Sequence, residues 1–484
     1  MLTNVKNRIL IMLFLLFSVC PCKLEASPLD LYGFGSRSIA IGGAATAAAD
    51  DYSVIFYNPG RMGFVQNSFG VNFLMSFDDV KISLKDRPSG YDVPTDIYNA
   101  LPLDPSVRKM SERYIPTSEL RHARSGTGDD PNTYTLNGGI VHDFGLYWFK
   151  VGAAFSIPLQ SLVHADFHFV DEREQFFSNK LYFQLLNRRA SRPSGMLAMA
   201  FRPIDWFGFG AAVNIFANIR AKTNMFVPDA LDQENMYFLV NAEVKYDAAV
   251  LVGVHFEPLS WLGIGLAFRD RSWFQGEINN ELQFWNFEIY EGEPVTKQNF
   301  DYSYSFSPRV VQGGLRFDFS PVSISTDVAW VMWSEFRPEV NGNDSGFNNI
   351  VTARLGVRYS PLTWLDVAIG GGYVPSPVPD QNGRTNYVDN DRVEITTGAT
   401  FKLPWVEGLS VDLHAQFLTL IPRSVNKDTD ASNPLIDEFP AARDIKSDEE
   451  LVSSQGLQTN NPGFPGYSSS GLVATVGVGL NYAF

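Results

Sequence analysis

The feature that most constrains this chain is strict alternation with period two in its closing segment. From Gly471 to Phe484, the residues Leu472, Ala474, Val476, Val478, Leu480, Tyr482 and Phe484 fall on one face, and Gly471, Val473, Thr475, Gly477, Gly479, Asn481 and Ala483 on the other. One face is oily and the other small or polar. The pattern recurs from Val351 to Tyr359, where Ala353, Leu355, Val357 and Tyr359 oppose Arg354, Gly356 and Arg358. It recurs again from Val322 to Trp330, with Ser323, Ser325 and Asp327 on the polar face. A soluble β-sandwich also alternates, but three features point instead to strands that cross a membrane.

Many of these strands run about ten residues or more, the length a tilted strand needs to span hydrocarbon. A hairpin signature repeats at Phe201-Arg202-Pro203-Ile204-Asp205-Trp206-Phe207-Gly208, Phe256-Glu257-Pro258-Leu259-Ser260-Trp261-Leu262-Gly263 and Tyr359-Ser360-Pro361-Leu362-Thr363-Trp364-Leu365-Asp366. Aromatic rings flank each proline, as expected of short periplasmic turns at the membrane boundary. The chain also ends on a strand closed by Tyr482 and Phe484, the ending that outer-membrane assembly machinery reads. A sheet in hydrocarbon cannot leave its edges unpaired, so these strands are expected to close into a barrel. The polar stretches 78–133, 270–305 and 421–470 are expected to be extracellular loops, with a disordered linker as the alternative for 421–470 and its Asp448-Glu449-Glu450 run.

Export is written at the N-terminus. Lys6 and Arg8 precede an apolar run from Ile9 to Val19, and small residues follow at Ala26 and Ser27, the layout of a secretory signal peptide over residues 1–26. The run is too short for a transmembrane helix. Cleavage after Ala26 would remove Cys20 and Cys22, the only two cysteines. Acylation at either cysteine is the rival reading, disfavoured by bulky Val19 ahead of Cys20. The formal charge of −15, without clustered Lys or Arg, argues against a nucleic-acid partner. The 38 Phe, 19 Tyr and 9 Trp, with 39 Gly and no linker-like stretch, favour one large aromatic-rich domain.

Residues 27–63 read differently: SPLDLYGFGSRSIAIGGAATAAADDYSVIFYNPGRMG. The segment is too glycine-rich for long barrel strands and too apolar for a solvated tail, so the lumen of the 64–484 barrel is its natural shelter. At this point the sequence resembles the FadL family of outer-membrane hydrophobic-compound transporters. The resemblance rests on Gly42-Gly43-Ala44, Ala49-Asp50-Asp51, Asn58-Pro59-Gly60, Trp333-Ser334-Glu335-Phe336, Ser376-Pro377-Val378-Pro379-Asp380-Gln381-Asn382, Asp389-Asn390-Asp391-Arg392 and the final Asn481-Tyr482-Ala483-Phe484. Gly60 stands where the family has alanine; the two are similar in size, so the turn is expected to tolerate the change.

The resemblance implies an all-β barrel of about fourteen strands, a hatch gated around Gly42, Gly43, Asn58, Pro59 and Gly60, capture of a hydrophobic ligand at the cell surface and lateral release through the wall. It implies a monomer in outer-membrane lipid and lipopolysaccharide that meets the barrel-assembly machinery during biogenesis. Long-chain fatty acids and aromatic hydrocarbons are both family substrates. A fatty acid needs cations or donors for its carboxylate, for which Arg354, Arg358 and Arg392 are candidates; an ordinary polar lumen lining is the simpler account of all three. No cofactor motif is present. His164, Asp166 and His168 share a strand face but lack a further ligand for a metal. Asp389-Asn390-Asp391 with Glu394 lacks the glycine and spacing of a calcium loop. Ser468, Ser469 and Ser470 lack the G-x-S-x-G setting of a hydrolase nucleophile, so no catalysis is expected. A barrel that transports nothing and displays its loops as an adhesin, phage receptor or structural protein is the competing reading, and the apolar N-terminal segment argues against it.

Overall fold

The computed structural model describes residues 28–85, 125–127, 132–159, 193–226, 237–283, 295–337, 346–381, 387–427, 437–439, 457–458 and 466–484. The signal-peptide segment, His164, Asp166, His168 and Asn382 lie outside the described residues. The wall consists of strands β1 (Ser68–Leu84), β2 (Asn132–His142), β3 (Phe149–Pro158), β4 (Ser194–Ile204), β5 (Phe207–Phe226), β6 (Tyr237–Leu259) and β7 (Leu262–Arg269). It continues through β8 (Arg309–Phe319), β9 (Val322–Met332), β10 (Ile350–Leu362), β11 (Leu365–Val374), β12 (Arg392–Lys402), β13 (Leu409–Asn426) and β14 (Gly466–Ala483). Each pairs antiparallel with its sequence neighbour, and β14 returns to β1 with Ser68 opposite Ala483 and Leu84 opposite Tyr467. The sheet therefore has no free edge, and the strands satisfy one another's backbone groups around the ring. Outside it, Ser125–Thr127 pairs onto β1, Ser272–Gln283 pairs with Val295–Ser307, and Asp437–Phe439 pairs with Leu457–Gln458.

Alternation decides which face meets lipid. On β14, Leu472, Val476, Val478 and Leu480 point outward, while Val473, Thr475 and Asn481 are buried inside. On β10, Leu355 is 54 % exposed whereas Thr352 is 4 % exposed. No helix of the described residues is long and apolar enough to cross a membrane; the strands do so. The three tryptophan hairpins are tight turns joining β4 to β5, β6 to β7 and β10 to β11. A fourth turn, Ser320-Pro321 between β8 and β9, has no tryptophan of its own, but Trp261 stacks on Phe317 and Phe319 beside it, at 6.3 and 6.0 Å. With exposed Trp206, Trp364, Trp405, Tyr482 and Phe484, these rings form an aromatic girdle at the turn end.

At the opposite end the strands outrun the sequence expectation. β1 continues through Asp78 to Leu84, β13 extends to Asn426, β14 starts at Gly466, and part of 270–305 is a hairpin. Asp78, Asp79 and Lys81 suggest a loop, yet Val80 and Ile82 keep the inward alternation and are buried.

Inside the ring lies Pro28–Phe64, folded as α1 (Pro28–Tyr32), α2 (Ser36–Ala40), α3 (Val54–Tyr57) and a 3₁₀ turn (Pro59–Phe64). The wall admits this plug because several inward-facing positions where it comes closest are glycine. A Cβ on Gly210 would stand 2.5 Å from the Pro59 carbonyl, one on Gly356 2.5 Å from that of Ile41, and one on Gly398 2.6 Å from the Ala40 methyl. Phe34, Val54, Ile55 and Met62 fill the space between with apolar side chains. Replacing Leu355 by Arg puts a charge on the lipid face next to an arginine already accommodated inside. It is expected to destabilise the barrel by about 2–4 kcal/mol in urea titrations in phosphatidylcholine vesicles, whereas Leu355→Ile costs about 1 kcal/mol or less.

Candidate functional site

Asn58, Pro59 and Gly60 are the point where plug and wall join. The Asn58 amide donates to the carbonyls of Thr46 at 2.9 Å and Val254 at 3.0 Å, and its Oδ1 accepts from the Gly60 N–H at 3.0 Å. One buried side chain thus caps the 3₁₀ turn, ties two parts of the plug and holds β6. Pro59 starts the turn and lines the cavity above it. Gly60 corrects the sequence reading: a Cβ there would stand 2.5 Å from the Gly253 carbonyl, so alanine is not an equivalent at this position. Gly42 and Gly43 both have φ of +70°, and a Cβ on Gly42 would also press on the Gly371 backbone.

Around this joint, polar side chains of the lumen bond the plug. Asp327 on β9 accepts from the Thr46 N–H at 2.9 Å and hydroxyl at 2.6 Å. Arg61 donates to the Ala49 carbonyl and pairs with Glu257 at 3.0 Å, and Glu257 also takes Arg316 at 2.9 Å. Arg37 pairs with Asp412 at 3.0 Å. The adjacent acids of the plug behave oppositely. Burial raises Asp51 to about 6, with Arg37 opposing and Asp50 reinforcing the shift. Burial acts to raise Asp50 too, but Arg358 and Arg37 overcome it and hold its carboxyl well below the usual range.

Above the plug opens a cavity. Leu29, Leu31, Phe56, Val310, Ile350 and Trp333 give it apolar walls. Three arginines also line it: Arg269 from β7, Arg354 from β10 and Arg392 from β12. Arg269 pairs with Asp30 of α1 and lies over the Phe56 ring. Arg354 Nε stands 3.5 Å from Glu394 Oε2, an ion pair longer than a hydrogen bond. Arg392 is 7 % exposed. The Nε of each of the three is buried without a hydrogen-bond partner among the described residues. Of the arginines expected from the sequence, Arg354 and Arg392 therefore face the cavity and Arg358 does not. Arg358 bonds Asp50 and lines a second, polar space on the turn side of the plug. The reason is spacing: Gly356, between the two arginines, seats Ile41, and four residues of strand span about 13 Å. Arg269 escaped the sequence reading because it ends a short strand and only the folded barrel brings it opposite α1.

The other motif segments converge on the cavity's outer rim. Trp333, Phe336, Phe347 and Tyr387 pack in one cluster with Phe306. Ser376 ties the loop down through its N–H to Asp391 and its hydroxyl to Asp389, both at 2.8 Å, while Asn390 donates to the carbonyls of Ile421 and Ser469. The Ser469 hydroxyl is likewise spent on Asn390. Tyr482 and Phe484 lie on the outer face at the turn end, with Phe484 stacked on Tyr482 and its N–H bonded to the Asn67 carbonyl.

A closed antiparallel ring, oily outside and polar within, girdled by aromatics and plugged by its own N-terminal segment, is a membrane-spanning barrel of the outer-membrane kind. Neither the protein-family models nor the curated protein sequences match the chain. Its fold is that of the FadL-type barrels: a crystal structure of a Pseudomonas aeruginosa FadL homologue superposes with a TM-score of 0.57 at 12 % identity, covering 96 % of this chain and all of the other. The P. putida toluene transporter TodX gives 0.50 at 11 % identity over 94 % of this chain and 99 % of its own.

Gly60→Ala is expected to unseat the plug at a cost of about 1–3 kcal/mol, seen as larger and noisier ion conductance in planar bilayers. The docking is also expected to depend on pH. Docked Asp51 binds its proton more tightly than an exposed aspartate, so docking is strong near pH 4 and weakens as pH rises through about 6, while below 4 the depressed carboxyl of Asp50 acts in the opposite sense. Hydrogen exchange of plug amides between pH 4 and pH 7 measures this, and Asp51→Asn should flatten the profile.

Proposed function

We propose that this chain carries hydrophobic small molecules across the outer membrane of a Gram-negative cell, with long-chain fatty acids as its ligands. The observation that carries this reading is the cavity above the plug: apolar side chains that suit an alkyl chain, beside three arginine Nε groups that are buried without hydrogen-bond partners among the described residues. Each buried methylene contributes roughly 0.8 kcal/mol, so an alkyl chain gains from such walls what a water-filled pore cannot offer. A neutral hydrocarbon has no use for guanidinium groups, whereas a carboxylate does. The fold likeness to a FadL homologue and to a toluene transporter supports hydrophobic transport and leaves the choice of ligand to the cavity's chemistry.

In this reading residues 1–26 are removed as a signal peptide, 27–63 act as the hatch and 64–484 form the barrel. The ligand is captured at the aromatic rim, moves into the cavity and leaves laterally once the hatch shifts around Gly42, Gly43 and the Asn58 joint. Tyr482 and Phe484 serve the assembly machinery, and the mature protein works as a monomer among outer-membrane lipid and lipopolysaccharide. Native mass spectrometry with lipid extraction, after growth on oleate or on toluene, tests the ligand: retained oleate is expected, and no retained ligand under either condition would favour a display barrel. Arg392→Ala removes a charge-assisted hydrogen bond and should weaken oleate binding by about tenfold to a hundredfold while barely changing that of toluene.

A further inference from the structure

Arg354, Gly372 and Glu394 occupy one inward row across β10, β11 and β12: Arg354 is in register with Gly372, and Gly372 with Glu394. Because the middle strand carries no side chain there, arginine and glutamate meet across it; a Cβ on Gly372 would stand 2.9 Å from Arg354 Cγ and 3.6 Å from Glu394 Oε2. Glu394 is 5 % exposed, and it follows Arg392 by two residues on the same inner face. Glu394 therefore lies beside the Arg354 guanidinium, while Arg392, on the same inner face, also has Asp389 near it. Glu394 does not fill Arg354's bonding capacity, since Nε is 3.5 Å away and has no hydrogen-bond partner.

On the other side, Arg354 touches the plug. A Cβ on Gly43 would lie 3.6 Å from both Arg354 Cδ and Nε, and the Tyr57 hydroxyl beside it accepts the Phe34 N–H at 3.1 Å. The same guanidinium thus faces ligand space, a resident acid and the left-handed turn of the plug.

We propose that Glu394 is a resident competitor for the ligand's carboxylate: it neutralises Arg354 when the cavity is empty, yields the arginine when an anionic amphiphile enters, and takes it back as the ligand leaves. The inference rests on the fatty-acid reading above and assigns to that site the residue that sets its affinity and release. A buried guanidinium without a counter-charge is costly, so an empty site lacking this acid would hold an incoming carboxylate too tightly. With the acid present, the incoming carboxylate must displace a resident ion pair and meets a second negative charge beside it, so the ligand is held less tightly and released more readily. The arginines favour an anionic head over a neutral one of equal length, and Glu394 tempers that preference, because only an anion has to compete with it for Arg354.

The test compares binding and dissociation of oleate and oleyl alcohol in the detergent-purified full-length barrel, for the native protein, Glu394→Gln and Glu394→Asp. Expected for Glu394→Gln is oleate affinity raised by about tenfold through slower dissociation, oleyl alcohol affinity unchanged, and slower oleate uptake by whole cells. Glu394→Asp, which keeps the charge, should resemble the native protein. Weaker binding of both ligands to Glu394→Gln, or unchanged oleate kinetics, would overturn the proposal and make Glu394 a packing residue of the wall. Failure of native protein to bind oleate at all would instead remove the fatty-acid reading beneath it, so the two failures are distinguishable.

Discussion

The contact on which this structure depends is backbone against backbone, where the plug lies directly on the barrel wall. Strands that present a side chain at every inward position would leave no room for Pro28–Phe64, and glycines such as Gly210, Gly253, Gly356, Gly370 and Gly398 remove those side chains where the plug rests. Glycine weakens a strand, since it packs nothing and loses more conformational freedom on folding. Here the loss is offset because the plug itself covers those positions and supplies the missing packing with Phe34, Ile55 and Met62. Wall and plug are therefore one folding problem rather than a container and its contents.

That seating also divides the lumen electrically. Polar inward residues bond plug atoms around the ring, from Asp327 to Glu257 to Asp412, leaving charged groups above and below with different tasks. Arg358 and Arg354 show the division on one strand face: the lower guanidinium is committed to Asp50, and the upper one faces the apolar cavity with Glu394 beside it. In a wall without the glycine between them, the two would line a single polar lumen. The plug thus turns an ordinary inward stripe into a site with two distinct sides.

Much of the fold was legible in the chain because alternation carries its own explanation. Leu355 and Arg354 are neighbours in sequence and opposites in solvent, and a period of two sends one to lipid and the other to the lumen whatever the rest of the barrel does. The proline-tryptophan turns were legible for the same reason, being local. Legibility failed where the partner was distant. Asp78 and Lys81 look like loop residues until β14 pairs with β1 along its whole length, and Gly60 looks exchangeable with alanine until Gly253 arrives against it. The cavity was harder still: Arg269, Arg354 and Arg392 lie on three non-adjacent strands, and no spacing within the chain relates them.

By itself the sequence determined that the chain forms alternating membrane-length strands, that their edges must close, and that a glycine-rich apolar segment precedes them, because hydrocarbon tolerates neither an unpaired backbone nor an outward charge. Which arginines face a ligand, which are consumed in holding the plug, and that Glu394 reaches Arg354 across a bare strand were decided only by the closed barrel. Those relations come from register between strands and from the height at which the plug rests, and both are set by the packing of residues hundreds of positions apart.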